Sequence, residues 1–404
     1  MIRLTPDNGI PRHILLMMAF LAAFTVANLY YNQPLLDMIC RDTGITQVQA
    51  NIITVITQIG YALGLLFVVP LADMLPVRCI VVIGMSLAAA SAVAIGVANN
   101  VWLLWGASLT LGLSSIMPQL FVPMATLYSR PENKTRNMGY IASGIMTGIV
   151  SARAVSGYIG DWFGWRMMFF LVAGLMLLGL LVTLKMMPQV SQTFHGSYRQ
   201  LMHTVGSIFI SNPRIRLYSF RPAMSFASML CVWSCMAFHL SGPPFHVGSD
   251  VVGLLGLCGV AGAVAASGVG KIVLRVGVHR MSVIGGCFQV LTWFVAWKFG
   301  DSYAGLIVAL VLVDIGAQCL QVSNQSASLR QLPKATNRVN TIFMTTFFIG
   351  GSLGTSFSGI GWSLAGWTGV CIVGACFASA TLLLSACERI KMKNGSSIHH
   401  ITSY

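Results

Sequence analysis

Asp314 and Arg153 each interrupt an apolar run long enough to cross a bilayer. A charged side chain at such a depth costs about 2.5–3.5 kcal/mol on insertion scales, so it is expected to face a wet cavity or an opposite charge. Asp314, Gln318, Gln321 and Gln325 fall at i, i+4, i+7 and i+11, which is one continuous helix face. Withdrawing a carboxylate from water favours its protonated form, chemistry that suits uptake and release of a proton. Two weaker polar stripes accompany this one, Ser108-Gly112-Ser115-Gln119 and Thr25-Asn28-Asn32. Together they predict a wet central cavity lined by Asn28, Asn32, Gln119, Gln318, Gln321 and Gln325. Asp314 and Arg153 are the candidates for coupling proton to substrate; a purely structural ion pair between them is the alternative.

The elements that must carry these residues follow from composition. Of 404 residues, 56% are hydrophobic and 8% charged, whereas soluble domains carry about 25% charged residues. Spans of about 20 apolar residues are expected near 14–33, 47–69, 79–98, 102–127, 138–159 and 167–187. They resume near 217–240, 250–274, 281–298, 304–326, 339–360 and 366–387, which makes twelve. The first run lacks a small-residue cleavage site and reads as a retained span.

A net charge of +14 raises nucleic-acid binding as a possibility, but the placement of the charge argues against it. If the N-terminus is cytoplasmic, only Arg41, Arg166 and Lys298 among the 24 Lys and Arg fall on the opposite side, and Arg153 lies within a span. That asymmetry is the positive-inside pattern. It predicts a multi-pass protein of the bacterial inner membrane with both termini cytoplasmic and no nucleic-acid partner. The ten cysteines show no zinc or redox spacing. No Gly-rich loop with Lys and Ser/Thr is present to hold ATP. Neither a metal nor a cofactor is therefore expected, and the chain does not read as an enzyme.

Shifted by 202 residues, the sequence matches itself without gaps. Arg78 pairs with Arg280, Gln119 with Gln321, Pro131 with Pro333, Arg136 with Arg338, Gly148 with Gly350, Gly157 with Gly359 and Gly164-Trp165 with Gly366-Trp367. The copies are separated by an even number of spans, so the repeat is parallel, a plan in which substrate sits between halves near the midplane. The expected organisation is an all-α membrane protein of two pseudo-symmetric six-helix bundles, 1–187 and 217–404, joined by a polar cytoplasmic linker at 188–216. Glycines at close spacing in spans two, five, eight and eleven suit tight helix contacts. Tyr30, Tyr31, Phe238, His239, Phe245 and His246 sit near outer span ends and read chiefly as interfacial anchors.

After the second span the chain reads Pro70-Leu71-Ala72-Asp73-Met74-Leu75-Pro76-Val77-Arg78. This resembles the loop signature of the major facilitator superfamily, Gly-x-Leu-Ala-Asp-Arg-x-Gly-Arg-Arg, with Val69, Met74 and Pro76 departing from it. Its second-half counterpart, Gly270 through Arg280, keeps the glycines and Arg275 but has Leu274 in place of the acid. Asp73, Arg78, Arg275 and Arg280 are thereby implied to act as gating-loop residues. Tyr31-Asn32-Gln33-Pro34-Leu35-Leu36, Gly164-Trp165-Arg166, Ser241-Gly242-Pro243-Pro244 and Asp314 through Gln325 resemble a narrower branch, the YnfM/YgaY-like permeases near the drug:proton antiporters. The resemblance implies a monomeric secondary transporter that exports a small amphipathic or polar molecule in exchange for protons. Proton-linked uptake and a weakly active paralogue remain open; a membrane enzyme or receptor lacks a reactive cluster or an extramembrane domain.

Overall fold

The computed structural model describes residue 4 and residues 9–189, 196–332 and 335–399, with side chains to 386 except at 126, 131, 134, 135, 266, 267, 270, 271 and 274. The chain enters α1 (Arg12–Ala27), which ends in turns and a short outer helix at Leu36–Thr43. α2 (Gln47–Asp73) starts on a capping box in which the Thr46 hydroxyl accepts from the Gln49 N–H, and it passes through a π turn at Gly64–Val68. α3 (Val77–Gly96), α4 (Val101–Ala125), α5 (Lys134–Phe163) and α6 (Trp165–Met186) complete the first half. The second half comprises α7 (Pro213–Ser241), α8 (249–276, with a 3-10 turn at Gly256–Cys258), α9 (Val278–Phe299) and α10 (Tyr303–Gln331). A continuous helix follows from Thr336 and breaks at Ala365 and Gly366, where Gly366 has φ 56°, into α11 (336–364) and α12 (366–386). Left-handed backbone at that break favours glycine.

Among the described residues, nine helices are long and apolar enough to cross a membrane by length and composition, one of them holding both α11 and α12. α1 and the apolar part of α8 (Ser249–Ala265) are shorter. Each of the twelve expected segments therefore falls on a helix. α7 is buried along most of its length, whereas α3, α6 and α9 present large apolar side chains outward, among them Ile83, Leu178 and Phe294. Exposed apolar surface of that extent suits lipid rather than water.

Two differences from the sequence expectations concern the connection. Residues 198–211 of the expected linker form a helix, Tyr198–Ser211, capped by Ser197 and Gln200. Its apolar face, with Val205 and Ile208, packs against Ile215, Val339 and Ile342, and burial of that face is what orders it. α7 begins at Pro213 rather than at 217, because Pro is well suited to a first helical turn. Residues 190–195 of the linker and Pro333 of the repeat lie outside the described residues.

The internal repeat has a physical counterpart. A Cβ at Gly148 of α5 would collide with the Ala23 carbonyl of α1, and one at Gly350 of α11 with the Ala223 carbonyl of α7. The same glycine-on-carbonyl seam thus closes α5 on α1 and α11 on α7. Gly157 and Gly359, also 202 residues apart, both lie between the halves: Gly157 packs under Ser249 and Gly253 of α8, and Gly359 against Asn51 of α2. Small residues allow such approach where lipid removes any hydrophobic drive between helices.

Overpacking a tight contact costs about 1–3 kcal/mol. Gly148→Val and Gly350→Val should each lower the thermal midpoint of the detergent-solubilised protein. Gly106→Val, at a position with open space around it, should not. Equal midpoints for all three would refute the shared seam.

Candidate functional site

A cavity of about 1150 Å³ lies between the halves. One end is formed by Tyr30 of the turn after α1, Arg153 of α5, Gly259 of α8 and Asp314 of α10. From there it runs to the face where α1 begins and α2 and α10 end, reaching Asp73, Arg330 and Arg338. On the opposite face the halves are fastened together. Trp362 Nε1 donates to Gln47 Oε1 at 2.7 Å, Ser241 Oγ to Asp37 Oδ1 at 3.0 Å, and Ser249 Oγ to the Gly157 carbonyl at 3.0 Å.

Gln119, Gln318, Gln321 and Gln325 stand on the cavity wall with Asn340. Asn340 Nδ2 reaches across the cavity to Gln119 Oε1 at 3.4 Å, and Gln325 Nε2 donates to Asn340 Oδ1 at 2.9 Å. Between these amides the wall is apolar and aromatic. Phe226 stacks on Phe347 with centroids 4.0 Å apart, and Tyr61 of the first half meets Phe348 of the second at 4.5 Å. Amphipathic lining of this kind is usual for small-molecule sites.

The expected roles of Asn28 and Asn32 need correction. Neither is among the residues lining the cavity. Asn28 Nδ2 donates to Ser115 Oγ at 2.9 Å, and the Thr25 hydroxyl to the Leu21 carbonyl at 2.8 Å. Both asparagines are buried within the first half. Helical spacing identifies a polar face but not the neighbour it meets, and here Asn28 meets Ser115 of α4 rather than the cavity. Val26 of α1 and Tyr30 of the turn after it line the cavity instead.

Arg153, only 2% exposed, is held on several sides. Its Nε donates to Gln33 Oε1 at 2.8 Å, and its guanidinium lies 4.0 Å from the Trp233 ring centroid and 4.9 Å from that of Tyr30. Such cation–π contacts are worth roughly 2 kcal/mol when desolvated. Tyr30 is therefore a wall of the charge site rather than an interfacial anchor. His239 also departs from that expectation: it is buried, stacked on Trp367 at 4.1 Å, with Nε2 3.0 Å from the Gly300 carbonyl. Gln33 lies in one of the stretches that carry the family resemblance, but nothing in sequence assigns it this role, and Trp233 belongs to no pattern.

Asp314, also buried, comes close to Arg153 without forming an ion pair within 4.0 Å. A methyl placed on Gly259 would sit 3.7 Å from Asp314 Oδ2 and 4.0 Å from Arg153 Nη1. The bare α8 backbone thus makes room where the two charged groups converge. Asp314 Oδ2 and Arg153 Nη2 are both buried with no hydrogen-bond partner among the described residues, an arrangement normally costly enough to need a reason.

The gating-loop candidates are dispersed. Asp73 is on the cavity wall, and Arg78 Nη2 donates to the Leu184 carbonyl at 2.5 Å, tying α3 to the end of α6. Arg275, in the last turn of α8, and Arg280, in the first turn of α9, are exposed.

Two half-bundles around a central cavity, joined in parallel repeat, fit one family whose sequence model matches residues 15–355. The chain belongs to the Major Facilitator Superfamily. It is similar to the Uncharacterized transporter YgaY of Escherichia coli O157:H7, 35% identical over 94% of this chain and 96% of that one. It is also similar to the Inner membrane transport protein YnfM of Escherichia coli K12, 24% identical over 90% and 88% of the two chains. Among solved structures it shares its fold with a bacterial homologue of the human lysosomal transporter Spinster, crystallised inward-facing and unoccupied. The TM-score is 0.72 at 14% identity, covering 93% of this chain and 94% of that one. Membership makes this chain a multi-pass membrane transporter of small molecules.

The Gln33 contact is testable in the facilitator as it stands. Leaving a buried donor unpaired costs about 1–3 kcal/mol, so Gln33→Leu should lower the thermal midpoint in the native background. In an Arg153→Met background the same change should cost little, a non-additivity expected of directly coupled residues. Equal losses in both backgrounds would remove Gln33 from the clamp.

Proposed function

We propose that this facilitator exports a small amphipathic or mildly polar compound across the bacterial inner membrane in exchange for protons. Asp314 carries the proton and Arg153 is its counter-charge. The observation that carries the reading is their convergence at the end of the central cavity, both buried, close, and each with an unsatisfied polar atom. A carboxylate so placed can hold a proton in one state and meet the guanidinium in another. Amides and aromatic rings on the same wall suit a substrate with an apolar body and a few polar groups.

In this reading the bundles 1–187 and 217–404 rock against each other about the site, with 188–216 as tether. The basic asymmetry places both termini in the cytoplasm, so the cavity reaches the cytoplasmic face. The outer fastenings at Gln47–Trp362, Ser241–Asp37 and Gly157–Ser249 part when the molecule turns outward. Asp73, Arg78, Arg275 and Arg280 steady the cytoplasmic edges of the halves. Gln119, Gln318, Gln321 and Gln325 contact substrate, and one chain contains the whole pathway. The export direction is supported by the resemblance to drug:proton antiporters; either direction is compatible with the cavity geometry.

Asp314→Asn should abolish transport driven by a pH gradient in proteoliposomes while leaving the protein monodisperse and its thermal midpoint close to native. Retention of full pH dependence by this variant would end the coupling role. Substrate accumulation in right-side-out vesicles on imposing an inside-alkaline gradient would establish uptake and overturn export.

A further inference from the structure

A second cavity, of about 520 Å³, lies apart from the central one, between the N-terminal segment, α1 and the α4–α5 connection. Three arginines line it, Arg12, Arg130 and Arg136, with Asn133, Asn137 and Tyr140, and among the described residues no carboxylate is on its wall. Among the described residues, no acid forms an ion pair with Arg12 or Arg136. Glu132 of the same connection is exposed and is not on the wall.

The backbone adds to the positive field. α5 is 30 residues long and starts at the cavity, with no side chain capping it and no acid in its first turn. A 3-10 turn at Pro131–Asn133 leads into it, and the positive end of its dipole favours an anion. The opposite wall is held in place: the Gly9 N–H donates to the Tyr128 carbonyl at 3.0 Å, and a φ of 103° lets Gly9 pass beneath the Arg130 side chain.

The surroundings distinguish a lipid anion from a free one. Arg12, Leu16 and Phe20 fall at i, i+4 and i+8, one stripe of α1. Leu16 is 49% and Phe20 61% exposed, and neither lines the central cavity. A basic head thus sits directly above an apolar track that faces the bilayer. We infer that this pocket binds the phosphate of an anionic phospholipid, with an acyl chain lying along Leu16 and Phe20. Basic pockets between spans on the cytoplasmic side are suited to lipid headgroups. The bound lipid would join the N-terminal segment, α1 and α5, all in the half that bears Arg153.

The test uses the full-length protein in mild detergent, titrated with phosphatidylglycerol, phosphatidylcholine or inorganic phosphate. Bound lipid is counted by native mass spectrometry, and the thermal midpoint is followed alongside. Phosphatidylglycerol should bind and raise the midpoint, while the other two leave it unchanged. The double variant R12Q/R136Q should lose about tenfold in phosphatidylglycerol affinity, as expected for losing charge-assisted contacts. Equal binding of the two lipids, or a double variant that binds like the parent, would overturn the proposal. An equal midpoint rise with inorganic phosphate alone would do the same and identify a free-anion site. If the double variant does not fold, the comparison of the two lipids on the parent protein decides.

Discussion

A guanidinium buried between two helical bundles must be compensated from its immediate surroundings, and the centre of this transporter is arranged around that requirement. Arg153 receives a hydrogen-bond acceptor and a ring face from the turn after α1 and a second ring face from α7. A carboxylate on α10 stands close by, and α8 supplies open backbone. Elements far apart in sequence thereby converge on one side chain. Uncompensated, a charge in such a place costs far more than a single hydrogen bond returns.

The compensation is incomplete, and this makes the site of interest. Rigid stacking fixes the guanidinium, yet Asp314 stops short of an ion pair and keeps an oxygen without a partner. A fully satisfied pair would stabilise one arrangement of the halves. In the exchange we propose, the near-miss leaves the carboxylate to respond when a proton or ligand arrives, since only a differential interaction can shift a conformational equilibrium.

Close approach supports the same economy of space. Glycine seams let α5 lie on α1 and α11 on α7, and a second pair brings the halves together on one face. Where these contacts end, the helices diverge and the cavity begins. Its wall changes from amide to aromatic over short distances, which offers a ligand both polar and apolar partners.

Much of this was legible in the residues. The helical membrane spans, the parallel repeat and the polar stripe on α10 follow from periodicity and from the cost of polar groups in hydrocarbon, which act locally along the chain. Asp314 and Arg153 stood out because a charge inside a span is expensive wherever the helix packs. The partners did not stand out. Tyr30 read as an interfacial anchor, Gln33 as part of a family-resembling stretch and Trp233 as nothing in particular; their place around Arg153 comes from a meeting of elements far apart in sequence. Asn28 and Asn32 show the reverse: a polar stripe is visible on α1, but packing turned it toward α4. Sequence by itself therefore determined which groups needed compensation and which helices carried them. Only the tertiary structure decided who supplies it, because the rotation of each helix about its axis is set by contacts with the other helices.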